Sequence, residues 1–476
     1  MNANGTGAGT VAAVDLGATS GRVMLGHISK DAIRLEAVHR FDNRPVRTLD
    51  GLHWSIVELY RDAVEGLAIA ARRAPALAGI GVDTWAVDYA LMRRGNVLGL
   101  PYSYRDDRTN AAVDSVHRTI TPEALYVRNG LQHLPFNTVF QLVADQQAGL
   151  LDVADRFLLL PDLFGYWLTG TGVAERTNAS TTGLLNAGTG DWDRDIAGEL
   201  GIPARIFPEL VAAGTELGTL TASARRGIGD STARVISVGS HDTASAVVAL
   251  PTTSSDSAYI SCGTWSLVGV ELEHPILTDE ARRSGFTNEG GVDGRTRFLH
   301  NVMGLWLLSE CVREWRRTEE RVSLAELLEQ AERVSEPVPI FDADDETFLA
   351  PGDMPRRIEE WLVSHDRPVP TTRAALVRSI LLSLARSYAS AIRQAAQLSG
   401  KTVNAIHIVG GGSLNALLCQ LTADAAGLPV IAGPAEATAL GNVLVQARAL
   451  GWVSGDLETL RALVIRDTPT IRYDPR

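Results

Sequence analysis

Lysine is almost missing from this chain. Of 44 basic residues in 476 only two, Lys30 and Lys401, are lysine, and the rest are arginine. Chemistry through a lysine Schiff base therefore has at most these two positions. Lys401 stands in Gly400-Lys401-Thr402, which looks like the end of a phosphate-binding P-loop, but Ala395 occupies the motif's first glycine position. The surroundings are those of a helix stop, with Gly400 as a C-cap and 403–409 reading as a strand. Cysteine is scarce too. Cys262, Cys311 and Cys419 lie far apart and form no CxxC pair, which excludes a zinc knuckle and a disulfide scaffold and predicts a reducing, cytoplasmic setting. MNANGTGAGT has neither the basic nor the apolar part of a secretory signal, and no apolar run reaches about 18 residues. The most apolar stretch, 374–398, is interrupted by Arg378, Arg386 and Arg393. Leu376, Val377, Ile380, Leu381, Leu384, Tyr388 and Ile392 recur there at helical spacing, so it predicts a core helix. Positive charge is also in deficit: 44 Lys plus Arg against 56 Asp plus Glu give a net charge of −12. That balance argues against nucleic acid or anionic membrane as partners.

What is present is ordinary globular material, 45% hydrophobic and 21% charged, in a length that suits two large domains or three of about 150 residues. The chain opens on a hairpin: 11–16 as a strand, 17–22 as the turn, 23–28 as the return strand. Helices are predicted at 55–73 and 122–127, with a strand at 80–83 between them. The segment 140–170 reads as helical, 234–238 as a strand and 242–250 as a helix. Pro251 to Asp256 is polar and turn-forming, the best boundary in the chain. Beyond it the opening pattern recurs, with a strand at 258–261, a turn at 262–266 and a strand at 267–272, which suggests an internal duplication. Strands alternating with helices in both halves make the class α/β.

Several turns carry groups suited to chemistry. Asp15-Leu-Gly-Ala18-Thr19-Ser20-Gly21-Arg22 combines glycines and turn amides that accept a polyphosphate, two hydroxyls and a cation, with Asp15 placed to hold Mg²⁺ through water. A tight, solvated hairpin is the plain alternative. Gly410-Gly411-Gly412 joins a strand to a helix and bares backbone for a purine or phosphate, or serves close packing. In Ser240-His241-Asp242-Thr243, Asp242 is either a general base or a helix N-cap. Asp83-Thr-Trp85-Ala86-Val-Asp88 sets an indole between acids, which suits a sugar as well as an ordinary strand end. The acidic runs at 191–195 and 342–346 fit no calcium loop.

In order, the stretches VAAVDLGATSGRVML, GVDTWAVDYALM, GLPYSYRDDRTN, GLQHLPFNT, SHDTASAVVA, SCGTWSLVGVE, FTNEGG, NVMGLWLL and HIVGGGSLNALLCQLTADAAGLPVIAGPAEATALGN resemble the FGGY carbohydrate kinases from Val11 to about Ala449. Within that family the likeness is greatest to members acting on L-rhamnulose in L-rhamnose catabolism. L-fuculose, L-ribulose and xylulose kinases are the nearer alternatives, and a non-kinase actin-like ATPase the remote one. The resemblance implies an actin-like, Hsp70-like (ribonuclease H-like) fold of two duplicated lobes, 1–248 and 255–476, with ATP and sugar in a central cleft. It places ATP at Ala18, Thr19, Ser20, Gly21, Arg22, Thr264, Ser309 and Gly411, Mg²⁺ at Asp15, and sugar at Ala86, His241, Asp242, Thr243 and Asn301. Asp242 is the implied catalytic base, and the protein is implied to be a cytoplasmic monomer or homodimer. Two positions depart from the pattern: Ala86 stands where the L-rhamnulose kinases carry glycine, and Ser309 where they carry glutamine.

Overall fold

The computed structural model describes residues 8–29, 32–318 and 321–476. Lys30 and the first seven residues lie outside the described residues. The chain forms two compact units, each assembled from three stretches. Unit 1 takes the chain to Thr253, then Glu271–Phe298 and Ala437–Thr468; unit 2 takes Ser254–Val270, Leu299–Glu436 and Pro469–Arg476. The sequence suggests two contiguous domains, whereas the folded units are interleaved.

Unit 1 is built on a sheet with the strand order Glu216–Thr219, Arg234–Ile236, Leu77–Thr84, Gly9–Leu16, Ser20–Ile28, Ile33–Asp42. The apolar run Val11 to Val14 is fully buried, as expected of a central strand covered on both faces. It runs antiparallel to Ser20–Ile28 and parallel to Leu77–Thr84. One side is covered by the helix Ala437–Ala449, whose Ala439, Val443 and Ala447 pack on Val11, Ala13 and Met24. Small residues at helical spacing let helix and sheet approach closely, and a Cβ on Gly26 would meet Val443 Cγ2 at 2.4 Å. The stretch 140–170, read from sequence as helical segments, contains the strand Arg156–Leu159 between the helices Leu150–Val153 and Leu160–Thr169. It pairs with Tyr89–Arg93. Four residues are too few for periodicity to separate a buried strand from a helix turn.

In unit 2, Ser257–Cys262 is antiparallel to Ser266–Leu272 and parallel to Ala405–Val409, which is itself parallel to Val430–Ala432. Strand for strand this repeats the arrangement around Gly9–Leu16, so the duplication suggested by two short hairpins is a duplication of topology. The long helix Arg373–Ser399 starts with Thr372 accepting from the Ala375 amide and stops at Gly400, which is left-handed at φ 69°. It is the one helix among the described residues long and apolar enough to cross a membrane, and 67% of its most apolar window is buried in protein. Lys401 follows a helix end, as its context suggests.

Candidate active site

The hairpin turn of unit 1 is built to expose hydroxyls. The Gly17 amide donates to Ser20 O at 2.9 Å, and Asn43 clamps the turn from the side, its Nδ2 reaching Gly17 O (2.9 Å) and its amide Thr19 O (3.0 Å). Thr19 and Ser20 face solvent, Ala18 is half-buried, and Gly21 is buried where a Cβ would lie 2.3 Å from the Phe41 ring. Gly21 is thus a packing glycine, with the exposed positions next to it free to meet an anion. Asp15 and Arg22 face each other across the antiparallel pair and are bound, Nη2 at 2.6 Å and Nε at 3.0 Å from Oδ2.

Strand register sets Asp15 beside Asp83. Asp83 is fully buried and accepts from Asn442 Nδ2 at 2.5 Å, and Asn442 in turn is held by Gln446 at 2.7 Å. Burial first, and then the charge of Asp15, push the Asp83 carboxyl well above the usual carboxylate range, with Asp242 adding to it. Asp15 and Asp242 thus both lie near enough to act on the Asp83 carboxyl. Mg²⁺ prefers one or two carboxylates with water and substrate phosphate, so Asp15 fits that role without a cage of protein ligands.

Asp242 opens the helix Asp242–Val248, with His241 at the N-cap position. Its Oδ1 accepts from the amide of its neighbour Thr243 (2.5 Å) and from Thr243 Oγ1 (3.2 Å). A capping side chain bonds two or three residues onward, so this is no ordinary cap. With its side chain 30% exposed, Asp242 meets solvent while His241 and Thr243 beside it are buried. The loop is fixed from beneath by Glu175, whose Oε2 accepts from the Ser240 amide and hydroxyl, both at 3.0 Å, and from Thr177 Oγ1 at 2.5 Å. Burial raises the Glu175 carboxyl while these donors lower it. From the far side Arg297 Nη2 meets His241 Nδ1 at 3.0 Å, and Glu289 Oε2 lies 3.2 Å from the same nitrogen.

Ala86 sits in a strained turn. The Asp88 amide donates to Ala86 O at 2.9 Å around Val87, a β-branched residue at φ 68°. Such a conformation persists only where its surroundings over-determine it. Here Thr138 Oγ1 holds Val87 O at 2.6 Å, and Asp88 collects Trp54 Nε1 (2.6 Å), Trp85 Nε1 (2.9 Å), the Tyr104 amide (3.2 Å) and Gln141 Nε2 (3.1 Å).

In unit 2 the residues gather around the second hairpin. Thr264 is half-buried, and its carbonyl accepts from the Trp306 amide at 3.0 Å. The turn after Asn301 comes so close that a Cβ on Gly304, at φ 65°, would lie 2.6 Å from Thr264 O. Ser309 follows on the helix Trp306–Thr318 and is exposed. The glycine triplet divides its labour. A Cβ on Gly410 would meet Cys262 O at 2.9 Å and one on Gly412 would meet Cys262 Sγ at 2.1 Å, whereas Gly411 is exposed with nothing within 4 Å of that position.

Two family models match the chain: the N-terminal domain of the FGGY family of carbohydrate kinases over residues 10–249, and the C-terminal domain over 258–450. The chain belongs to the FGGY family of carbohydrate kinases. A rhamnulokinase of Bacteroides thetaiotaomicron is 40% identical over 467 residues, covering 98% of this chain and 95% of its own. Another, of Pectobacterium atrosepticum, is 42% identical over 98% of this chain and 93% of its own. Among solved structures, gluconate kinase from Lactobacillus acidophilus superposes with a TM-score of 0.78 at 16% identity, over 99% of this chain and 94% of that one. Plasmodium falciparum glycerol kinase with ADP gives 0.78 at 14% identity, over 98% and 95%. At such identities these establish the shared two-domain α/β fold. This FGGY kinase is therefore a phosphotransferase with an alcohol group of a sugar as acceptor.

In unit 1 the fold brings together Asp15, Arg22, Asp83 and Asp242, and sets His241 and Thr243 next to the last. In unit 2 it sets Thr264, Asn301 and Gly411 around one hairpin, with Ser309 a helical turn further on. Asn43, Glu175, Glu289 and Arg297 escape a reading of motifs because they act on the motif residues from distant parts of the chain. The Glu289 signal lies inside FTNEGG, a stretch whose role no local pattern reveals.

Proposed function

We propose that this kinase transfers the γ-phosphoryl group of ATP to the 1-hydroxyl of L-rhamnulose, with Asp242 as the general base. The observation that carries the base assignment is the geometry of Asp242: Oδ1 is fixed by both donors of Thr243, and the carboxylate reaches solvent on a loop that is otherwise buried. In the transfer, sugar O1 bonds to phosphorus as the β,γ-bridging P–O bond breaks and ADP departs, and the O1 proton passes to Asp242. Ala18, Thr19, Ser20, Gly21 and Arg22 are assigned to the phosphates, and Thr264, Ser309 and Gly411 to the nucleotide. Ala86, His241, Thr243 and Asn301 are assigned to the sugar. Mg²⁺, held through Asp15, would supply charge neutralisation on the phosphate oxygens. The rhamnulokinase relatives, alike along nearly the full chain, support L-rhamnulose, and Ala86 favours testing other ketoses beside it. The buried, unpaired cysteines Cys262, Cys311 and Cys419 suit the cytoplasm.

A coupled assay with ATP and Mg²⁺ across L-rhamnulose, L-fuculose, L-ribulose and D-xylulose tests the substrate; L-rhamnulose should give the highest kcat/KM. Asp242→Asn should lower kcat by about 10²-fold or more, the usual scale for loss of a general base. Turnover near wild type in that variant removes Asp242 from the role.

A further inference from the structure

We propose that Tyr388 is a positioning residue for the nucleotide: its hydroxyl ties together the two ends of the turn that carries Thr264 and, through Cys262, sets the seat of the glycine triplet that carries Gly411. This rests on Thr264 and Gly411 meeting ATP as proposed above. Cys262 and Ser266 are the last register pair between Ser257–Cys262 and Ser266–Leu272, so the turn 263–265 springs from these two residues. Tyr388 lies midway along Arg373–Ser399 and is completely buried. Its hydroxyl stands 2.6 Å from Ser266 Oγ and 3.7 Å from Cys262 Sγ.

Ser266 Oγ is in turn 3.5 Å from Cys262 Sγ, which closes a ring of three groups. Each has one proton to donate and a lone pair to accept with, so in either sense around the ring every member gives one hydrogen bond and takes one. All three side chains are buried. Burial pushes the Tyr388 hydroxyl and the Cys262 thiol up from their ordinary values, so the ring keeps its protons at neutral pH. A buried network with every member satisfied rigidifies what it joins. Here it joins the base of the turn, whose backbone is framed by the Gly263 amide donating to Trp265 O at 2.9 Å and the Trp306 amide donating to Thr264 O at 3.0 Å.

Cys262 carries the same constraint to the second loop. Gly410 and Gly412 both approach it too closely for a Cβ, and Gly411 is left exposed between them. A shift of Cys262 therefore moves the triplet along with the hairpin. Phenylalanine would fill the same space as Tyr388 in the core. What tyrosine adds is a hydroxyl set against the two residues where the turn begins and ends. A helix of 27 residues supports it, so the anchor stands on a rigid element rather than on another loop.

Tyr388→Phe keeps the aromatic ring and deletes the hydroxyl. In calorimetry with ATP and Mg²⁺ but no sugar, the variant should bind ATP about 3- to 10-fold more weakly, the scale of one net hydrogen bond. KM for ATP should rise alike, while kcat and the sugar KM stay within about twofold of wild type. Amide hydrogen exchange should quicken at Gly263 and Trp306 and stay unchanged at Gly17, which closes the corresponding turn of unit 1. Ser266→Ala opens the ring from the other side and should match Tyr388→Phe. The double variant should bind ATP no more weakly than either single one, because a ring once opened has no more to lose. Wild-type ATP affinity in a folded Tyr388→Phe, where Thr264→Val weakens ATP, overturns the proposal. So do exchange rates raised equally at Gly17, or losses that simply add in the double variant. If Thr264→Val also binds ATP like the wild type, the nucleotide assignment has failed and takes the proposal with it, a failure that this variant tells apart from the first.

Discussion

Replacing Asp88 by asparagine tests whether burial or hydrogen bonding rules the centre of the tryptophan turn. Four donors converge on this carboxylate. Yet burial, the largest influence, outweighs them and lifts its pKa from 3.8 to about 6. At about 1.4 kcal/mol for each tenfold in proton affinity, that rise corresponds to about 3 kcal/mol. Because the folded protein holds this proton more tightly than the unfolded chain, the stability it contributes is present below about pH 4 and lost as pH rises through about 6. Asparagine retains the shape, can still accept from the indoles, and does not ionise; it sets one amide donor against Gln141. The variant should therefore gain on the wild type by about 3 kcal/mol between about pH 4 and about pH 7. Every other carboxyl titrates in both proteins, so the difference isolates Asp88. Urea unfolding followed by tryptophan fluorescence, at intervals across that range, measures it. A stability difference that does not change with pH would refute the reasoning, as would one of opposite sign.

The glycine triplet gives a contrast between neighbours. Gly412→Ala, forced onto Cys262 Sγ, should cost about 1–3 kcal/mol, measured by thermal or denaturant unfolding. Gly411→Ala should stay within about 0.5 kcal/mol of wild type, so that any rise in its KM for ATP reports contact with nucleotide. In the core beneath the tryptophan turn, Arg108 pairs with the buried Asp145 at 2.5 Å, and Asp145 also accepts from Tyr89. Arg108→Ala should destabilise by about 3–5 kcal/mol in urea, and adding Asp145→Ala should recover much of the loss, because it removes the stranded charge.

The hairpins, the long helix and the α/β class are legible in the sequence because each rests on local signals: buried β-rich runs, turn glycines, helical spacing. Thr19 and Asp242 stand out locally only as candidates, each beside a plainer reading as a solvated turn or a helix cap, and Thr264 is singled out by the family resemblance alone. Arg156–Leu159 is not, since a short apolar run obeys both periodicities. The division of the glycine triplet is hidden as well, because only the approach of Cys262 separates Gly412 from Gly411. Glu175, Arg297 and Asn442 reach the site residues from 65, 56 and 359 positions away. Pairings at such separations are decided by topology, and no window of sequence contains both partners.

The interleaving of the two units bears on how this enzyme could be dissected or recombined. A fragment ending near Thr253 would lack Glu289, Arg297 and Asn442, and with them the groups that fix His241 and cap Asp83. Gene fragments joined at the polar linker would pair one parent's Asp242 loop with another parent's supports. Crossover points that respect the physical modules are Thr253/Ser254, Val270/Glu271, Phe298/Leu299, Glu436/Ala437 and Thr468/Pro469. Chimeras made there would keep His241 and Asp83 with their own Glu289, Arg297 and Asn442, while those made at the linker alone would mix them between parents.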